Sequence, residues 1–140
     1  MKVFDSTLAR LERALDVRLI RHNVLSANVA NVDTPGFRPK DVDFNAAMAA
    51  IEGAARDQAR VPLPAGPGLD TAESSGNSIA AKDLPIVDGP AANGSFDGNT
   101  VDLDRTMVAM AENALQYNAS ARAAGKKLAI LRYVASDGNG

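Results

Sequence analysis

The chain contains no cysteine, no tryptophan and a single histidine, and only 4% of its 140 residues are aromatic. Without a thiol there is no disulfide staple, no thiolate metal site and no cysteine nucleophile. His22 stands alone, so a histidine-based metal centre or proton relay lacks the partners it needs. None of Ser26, Ser74, Ser75 or Ser78 lies in a Gly-x-Ser-x-Gly setting. No run of about 18 apolar residues occurs, and Met1 to Ser6 lacks an apolar core of secretory-signal length, so these signals alone read as cytosolic. A formal net charge of −2, with Lys and Arg interspersed among acids, leaves no basic footprint for nucleic acid. Acids at Asp5, Glu12 and Asp16 also weigh against direct lipid binding through the Arg-bearing first helix. No catalytic, cofactor-binding or metal-ligating set emerges, and an enzyme is not expected.

What remains is one domain's worth of chain whose apolar share, 46%, is rich in alanine. Alanine buries little area but lets helices approach closely, so thin helical packing or burial against neighbouring subunits is expected, with low stability in isolation. Leu8, Leu11, Leu15 and Leu19, with Val17, Ile20 and Val24 beside them, predict a helix over about 7–32, with Asp5, Ser6 and Thr7 as N-cap candidates. Asp43 can cap a shorter second helix carrying Phe44, Ala47, Met48, Ile51 and Ala55. From 61 to 100 the chain is rich in Pro and Gly and reads as loop or as disorder in the free subunit. Within it, Ile79–Ala81 and Leu84–Val87 could pair as brief extended segments, Pro85 confining its own to an edge.

The last third has the clearest periodicity. Leu103, Met107, Met110, Ala114, Tyr117, Ala121, Ala124, Leu128, Leu131 and Ala135 alternate four- and three-residue steps, a heptad seam. A helix over about 102–135 would be about 50 Å long, with Asp102 and Asp104 at its start and Lys126, Lys127 and Arg132 near its end, the charge order the helix dipole favours. One such rod cannot bury its seam alone, and the first helix, brought back antiparallel or at a small crossing angle, is the obvious partner. The expected fold class is therefore mainly α: long N- and C-terminal helices packed as a helical hairpin or coiled coil, a shorter second helix, and an irregular Pro/Gly-rich middle. Segments 1–60 and 101–140 together would form one helical domain, joined by 61–100.

Two punctuated stretches carry functional information. In Asn28-Val29-Ala30-Asn31-Val32-Asp33-Thr34-Pro35-Gly36-Phe37, Pro35 and Gly36 are the pair a type II turn requires at its centre, while Asp33 and Thr34 can satisfy nearby donors. Asn28 and Asn31 share a face at the helix end, where they can cap locally or bond to a neighbouring chain. In Asp97-Gly98-Asn99-Thr100-Val101-Asp102-Leu103, Asp97-Gly98 makes a tight turn and Asp102 caps the last helix. A calcium loop fails on spacing, because its sixth and twelfth positions would be Asp102 and Val108.

The first stretch resembles the N-terminal signature of the bacterial flagellar axial proteins, and its continuation through Asp41-Val42-Asp43-Phe44 resembles the proximal branch of the basal-body rod family. The second stretch, followed by Ala111-Glu112-Asn113-Ala114-Leu115-Gln116-Tyr117, is similar to the lead into the last helix of the same branch. Val29 and Phe37 stand where the family often has Ile and Tyr, and Pro39 adds stiffness. The resemblance implies a structural subunit of the rod that self-associates and contacts other rod proteins, a rod-to-ring adaptor and the membrane-ring protein. It also implies export through the flagellar type III apparatus without a cleaved signal, and a place in the periplasmic rod. Assembly contacts would then involve Asn28, Asn31, the turn residues Asp33, Thr34, Pro35, Gly36 and Phe37, then Asp41, Asp43, Phe44, Asp97, Gly98, Asn99, Val101, Asp102 and Leu103, and the seam at Met107, Met110, Tyr117, Leu128 and Leu131. The free subunit is expected to have poorly ordered ends, since two unburied apolar faces do not offset the entropy of ordering them. The rival reading is a cytosolic coiled-coil adaptor or chaperone gripping one partner helix, which leaves the Thr34-Pro35-Gly36 motif unexplained.

Overall fold

The computed structural model describes residues 2–58, 84–89, 91 and 96–136. In chain order these form α1 (Lys2–Ala30), β1 (Lys40–Val42), α2 (Phe44–Gln58), β2 (Ile86–Asp88) and α3 (Leu103–Ala135). The long helices form an antiparallel hairpin. Asn99 reaches the carbonyls just beyond the end of α1, while Asn113, fourteen residues on, donates from Nδ2 to the Arg18 carbonyl at 2.8 Å. As one helix descends the other climbs.

Three expectations change. The first helix starts at Lys2, not Thr7; Asp5, Ser6 and Thr7 lie inside it, since nothing before them in the chain breaks a helix and a residue able to cap is not obliged to. It ends at Ala30, where the Asn31 amide is shared between the Ala27 and Asn28 carbonyls and the chain tightens into a 3₁₀-like turn. A strand, β1, was also not foreseen. It pairs antiparallel with β2, Asp41 opposite Val87, because Val42 is drawn into the core at 2% exposure and its extended backbone then requires a partner. Ile86-Val87 is extended as expected, but with β1; Ile79–Ala81 lies outside the described residues. The described parts of the 61–100 segment are thus tied to the helices, with Leu84 in the core.

That core is small. Val17 of α1 meets Val42, Ala47, Met48 and Leu84, with Phe44 and Ile51 of α2 packed around them. Asp43 caps α2 as its sequence suggests, accepting from the Ala46 amide at 3.0 Å. Asp102 caps α3, accepting from the Arg105 amide, and Thr106 donates back to the Asp102 carbonyl at 2.7 Å.

The α3 seam is only partly covered. The line of closest contact with α1 is offset from the expected seam by one residue, about 100° around the helix. The buried line runs instead through Thr106 and Asn113, the two buried residues of α3. Met110, Ala121, Ala124 and Leu131 are half-buried, whereas Leu103, Met107 and Leu128 are about half exposed. Ala114 and Tyr117 line an open groove between the helices with Arg18, Leu19, His22 and Asn113.

Candidate assembly site

The two punctuated stretches meet. Thr34-Pro35-Gly36-Phe37 closes as a turn, the Phe37 amide donating to the Thr34 carbonyl at 3.2 Å, with Gly36 at φ 72°. This is the backbone a type II turn demands, and a side chain there would be strained. Gly98 is also left-handed, at φ 76°. A Cβ on Gly98 would lie 3.6 Å from the Gly36 Cα, so the two turns stack with little between them.

Around this stack runs a set of hydrogen bonds. The Gly36 amide donates to the Asp97 carbonyl at 3.0 Å, and the Thr100 amide to that of Phe37 at 3.1 Å. Asn99 is the hub. Its Nδ2 lies 2.9, 2.7 and 2.8 Å from the carbonyl oxygens of Asn31, Val32 and Thr34, while its Oδ1 accepts from the Val101 amide at 2.8 Å. The unpaired carbonyls at the end of α1 are thus capped by a residue some 65 positions away. Asp97 steadies the hub, its Oδ1 accepting from the Asn99 amide at 3.0 Å, and Val101 bridges to Ala91.

Asn28 does the same on the other side. It is 2% exposed, and its amide mimics a strand backbone: Nδ2 donates to the Lys40 carbonyl at 2.7 Å, and Oδ1 accepts from the Lys40 amide at 3.0 Å. Asn31 turns back on its own helix, donating to the Ala27 carbonyl, and accepts from the Thr34 hydroxyl. Next to Asn28, Arg21 and Asp41 form a paired-fork ion bridge with both bonds at 2.7 Å and both side chains less than one-fifth exposed. The bond to Asp41 holds the Arg21 guanidinium above its ordinary pKa, against its own partial burial. Arg18 lies over the Phe44 ring, 4.1 Å from its centroid, and burial beside Arg21 lowers its pKa. Arg18 also donates to the Gln116 side chain. Arg18 Nε and Asn113 Oδ1 are buried with no partner among the described residues.

The site residues expected from sequence therefore divide. Asn28 and Asn99 spend their side chains inside the chain. Asp33, Thr34, Pro35, Gly36, Asp97 and Gly98 sit on the exposed surface of the clasp they build, with Phe37 half-buried and Phe96 fully exposed. Asp43 and Asp102 are helix caps. Sequence reasoning did not single out Arg21, and met Asn113 only within the Ala111–Tyr117 resemblance; their partners, Asp41 and the Arg18 carbonyl, lie 20 and 95 residues away, beyond the reach of a local pattern. Among the described residues no group of His, Cys, Asp and Glu is placed to hold a metal ion, and no helix is long and apolar enough to cross a membrane.

Comparison with known proteins bears on this clasp directly. Residues 8–38, the half of it that ends in the type II turn, match the family model described as flagella basal body rod protein. The flagellar basal body rod protein FlgB of Yersinia ruckeri is 36% identical over 118 residues, covering 81% of each chain. The chain belongs to the FlgB family of flagellar basal body rod proteins. FlgB of Escherichia coli K12 is 34% identical over an alignment of 144 positions spanning 96% of each chain, and FlgB of Bacillus subtilis 28% over 142 positions spanning 99%. The similarity to FlgB proteins thus runs from one half of the clasp through to the other.

Proposed function

We propose that this chain is a structural, non-enzymatic subunit of the flagellar basal-body rod, completing its burial against copies of itself and other rod proteins. The observation that carries this is a hairpin locked internally at one end by the Asn99 hub while the α3 seam stays half open along its length. A clasp that fixes the angle between two helices is of use where those helices must present a defined surface to neighbours. Torque would pass through interdigitated side chains, because twisting must shear many contacts at once. In the rod the terminal helices would form the inner layer around the export channel. The exposed turns of the clasp, at Pro35 and Gly98, would face the rod-to-ring adaptor and membrane-ring proteins at the proximal end. The chain would reach this periplasmic position through the type III export apparatus, without a cleaved signal.

Site-directed crosslinking from Asn31, Phe37 and Tyr117 in assembled basal bodies tests this. The expected result is capture of rod proteins from Tyr117 and of rod or ring proteins from the clasp, with deletion of the chain blocking rod assembly and motility. A soluble stoichiometric dimer, absent from basal bodies and dispensable for motility, would contradict it.

A further inference from the structure

Away from the clasp, a half-buried stripe on α1 and an exposed face of α3 match each other in apolar content, charge and spacing. On α1, Leu15 and Leu19 lie two residues either side of Val17, which is fully buried in the core. At 100° per residue they occupy the opposite side of the helix, with Leu8 on the same stripe; Leu8 and Leu15 are half-buried, and Leu19, 51% exposed, lies at the rim of the groove toward α3. Glu12 and Asp16 border that stripe, four residues apart. Like charges at this spacing repel, neither acid has an opposite-charge partner among the described residues, and the Asp16 carboxyl is held above its ordinary pKa by partial burial and by Glu12.

On α3, Leu115 comes two residues after Asn113, which is pinned to α1, and so points away from it. Arg122, Lys126 and Tyr133 follow on that outward face, at 7, 11 and 18 residues from Leu115 as helical repeats require. Leu115 and Tyr133 are 72% and 58% exposed. Arg122 and Lys126 are likewise four residues apart, unpaired among the described residues and exposed. Each face thus carries a pair of like charges about 6 Å apart, beside apolar side chains, with opposite sign.

We infer that, within the rod reading above, the outward face of α3 in one copy docks on the Leu8-Leu15-Leu19 stripe of α1 in a second copy of this same chain, Arg122 and Lys126 meeting Asp16 and Glu12. The two faces differ, so the contact is head-to-tail and builds an open series rather than a closed pair. It also fixes an offset. Within one hairpin Asp16 lies level with Leu115, because Arg18 lies level with Asn113; docking sets it opposite Arg122, two turns further on. Successive copies are therefore staggered by roughly 10 Å along the helix axes, a step that winds into a helical wall.

The chain has no native cysteine to interfere, so Asp16→Cys and Arg122→Cys in separate copies should crosslink in assembled basal bodies, whereas Asp16→Cys and Leu115→Cys should not. Reversing one side (E12K with D16K, or R122E with K126E) should cut incorporation into rods by roughly tenfold or more, as juxtaposed like charges do at an interface. Combining both reversals in one chain should restore it. Circular dichroism should show unchanged helix content, as none of the four side chains holds an ion pair among the described residues. Normal incorporation of either single-side reversal, failure of the combination to rescue, or capture of a different rod protein by the Asp16→Cys variant would overturn this pairing while leaving the rod reading intact. Absence of the unmodified chain from basal bodies would instead overturn the rod reading itself.

Discussion

Replacing Asn99 by alanine should loosen the whole molecule, and the cost can be worked from the contacts. The side chain is 5% exposed. Its two amide protons serve three carbonyls and its oxygen serves the Val101 amide, so about three net hydrogen bonds are lost at about 1 kcal/mol each. Two of the carbonyls keep a second donor: Asn31 accepts from the Thr34 amide and Thr34 from that of Phe37. Val32 has no such substitute among the described bonds, which adds about 1 kcal/mol if water does not reach it. The expected loss is about 3–4 kcal/mol, a large share of the roughly 5–15 kcal/mol by which a domain is stable. Urea unfolding followed by far-ultraviolet circular dichroism reads it as a lowered midpoint at unchanged slope. Asn99→Asp sharpens the test, since a carboxylate keeps the Val101 bond but turns an acceptor toward three carbonyls. Its folded pKa should lie above its unfolded one, so the variant should gain stability as the pH falls through that window. A loss below about 1 kcal/mol for Asn99→Ala, or a carboxylate variant indifferent to pH, would refute the hub.

Arg21→Ala should remove the paired-fork bridge to Asp41 and cost about 1.5–3 kcal/mol in the same unfolding assay, and Arg21→Lys should recover only part, since one ammonium does not reproduce two parallel bonds. Gly36→Ala should cost about 1–2 kcal/mol, the penalty for a side chain at the positive φ of the turn, with an equal effect at Gly98; thermal unfolding measures both. Asp16 has a raised pKa in the folded chain, so stability should fall as the pH climbs from the unfolded value of about 3.9 through the raised one. Asp16→Asn should therefore stabilise the isolated subunit at neutral pH by up to about 0.5 kcal/mol and do nothing below both values, as paired unfolding curves at two pH values would show.

Much of this architecture was legible because it rests on local chemistry. The Pro35-Gly36 turn, the Asp43 and Asp102 caps and the three helices each follow from a few adjacent residues, and the heptad spacing announced a face that one partner would not cover. The hub was only half visible. Asn28 and Asn31 stood out by their shared face, and Asn99 only within the resembling 97–103 stretch, but whether an asparagine bonds within its own chain or across to another depends on which carbonyls folding brings near it. Residue separations of 65 to 68 lie between Asn99 and its acceptors, and no local pattern encodes them. The β1–β2 pair escaped for a related reason: three-residue strands carry too little alternation to declare themselves, and Val42 is extended because the core takes it, not because of its neighbours. The start of α1 was misplaced because a capable cap is a permission and not a command.

The clasp at one end of the hairpin sets the angle from which its two arms run. The start of α1 and the finish of α3 lie together at the far end of the pair, more than about 40 Å from it by helix length, and any widening there grows with distance from the pivot while the two signatures stay shut. Strain applied at the tips therefore reaches the Asn113 bond to the Arg18 carbonyl before it reaches the Asn99 hub.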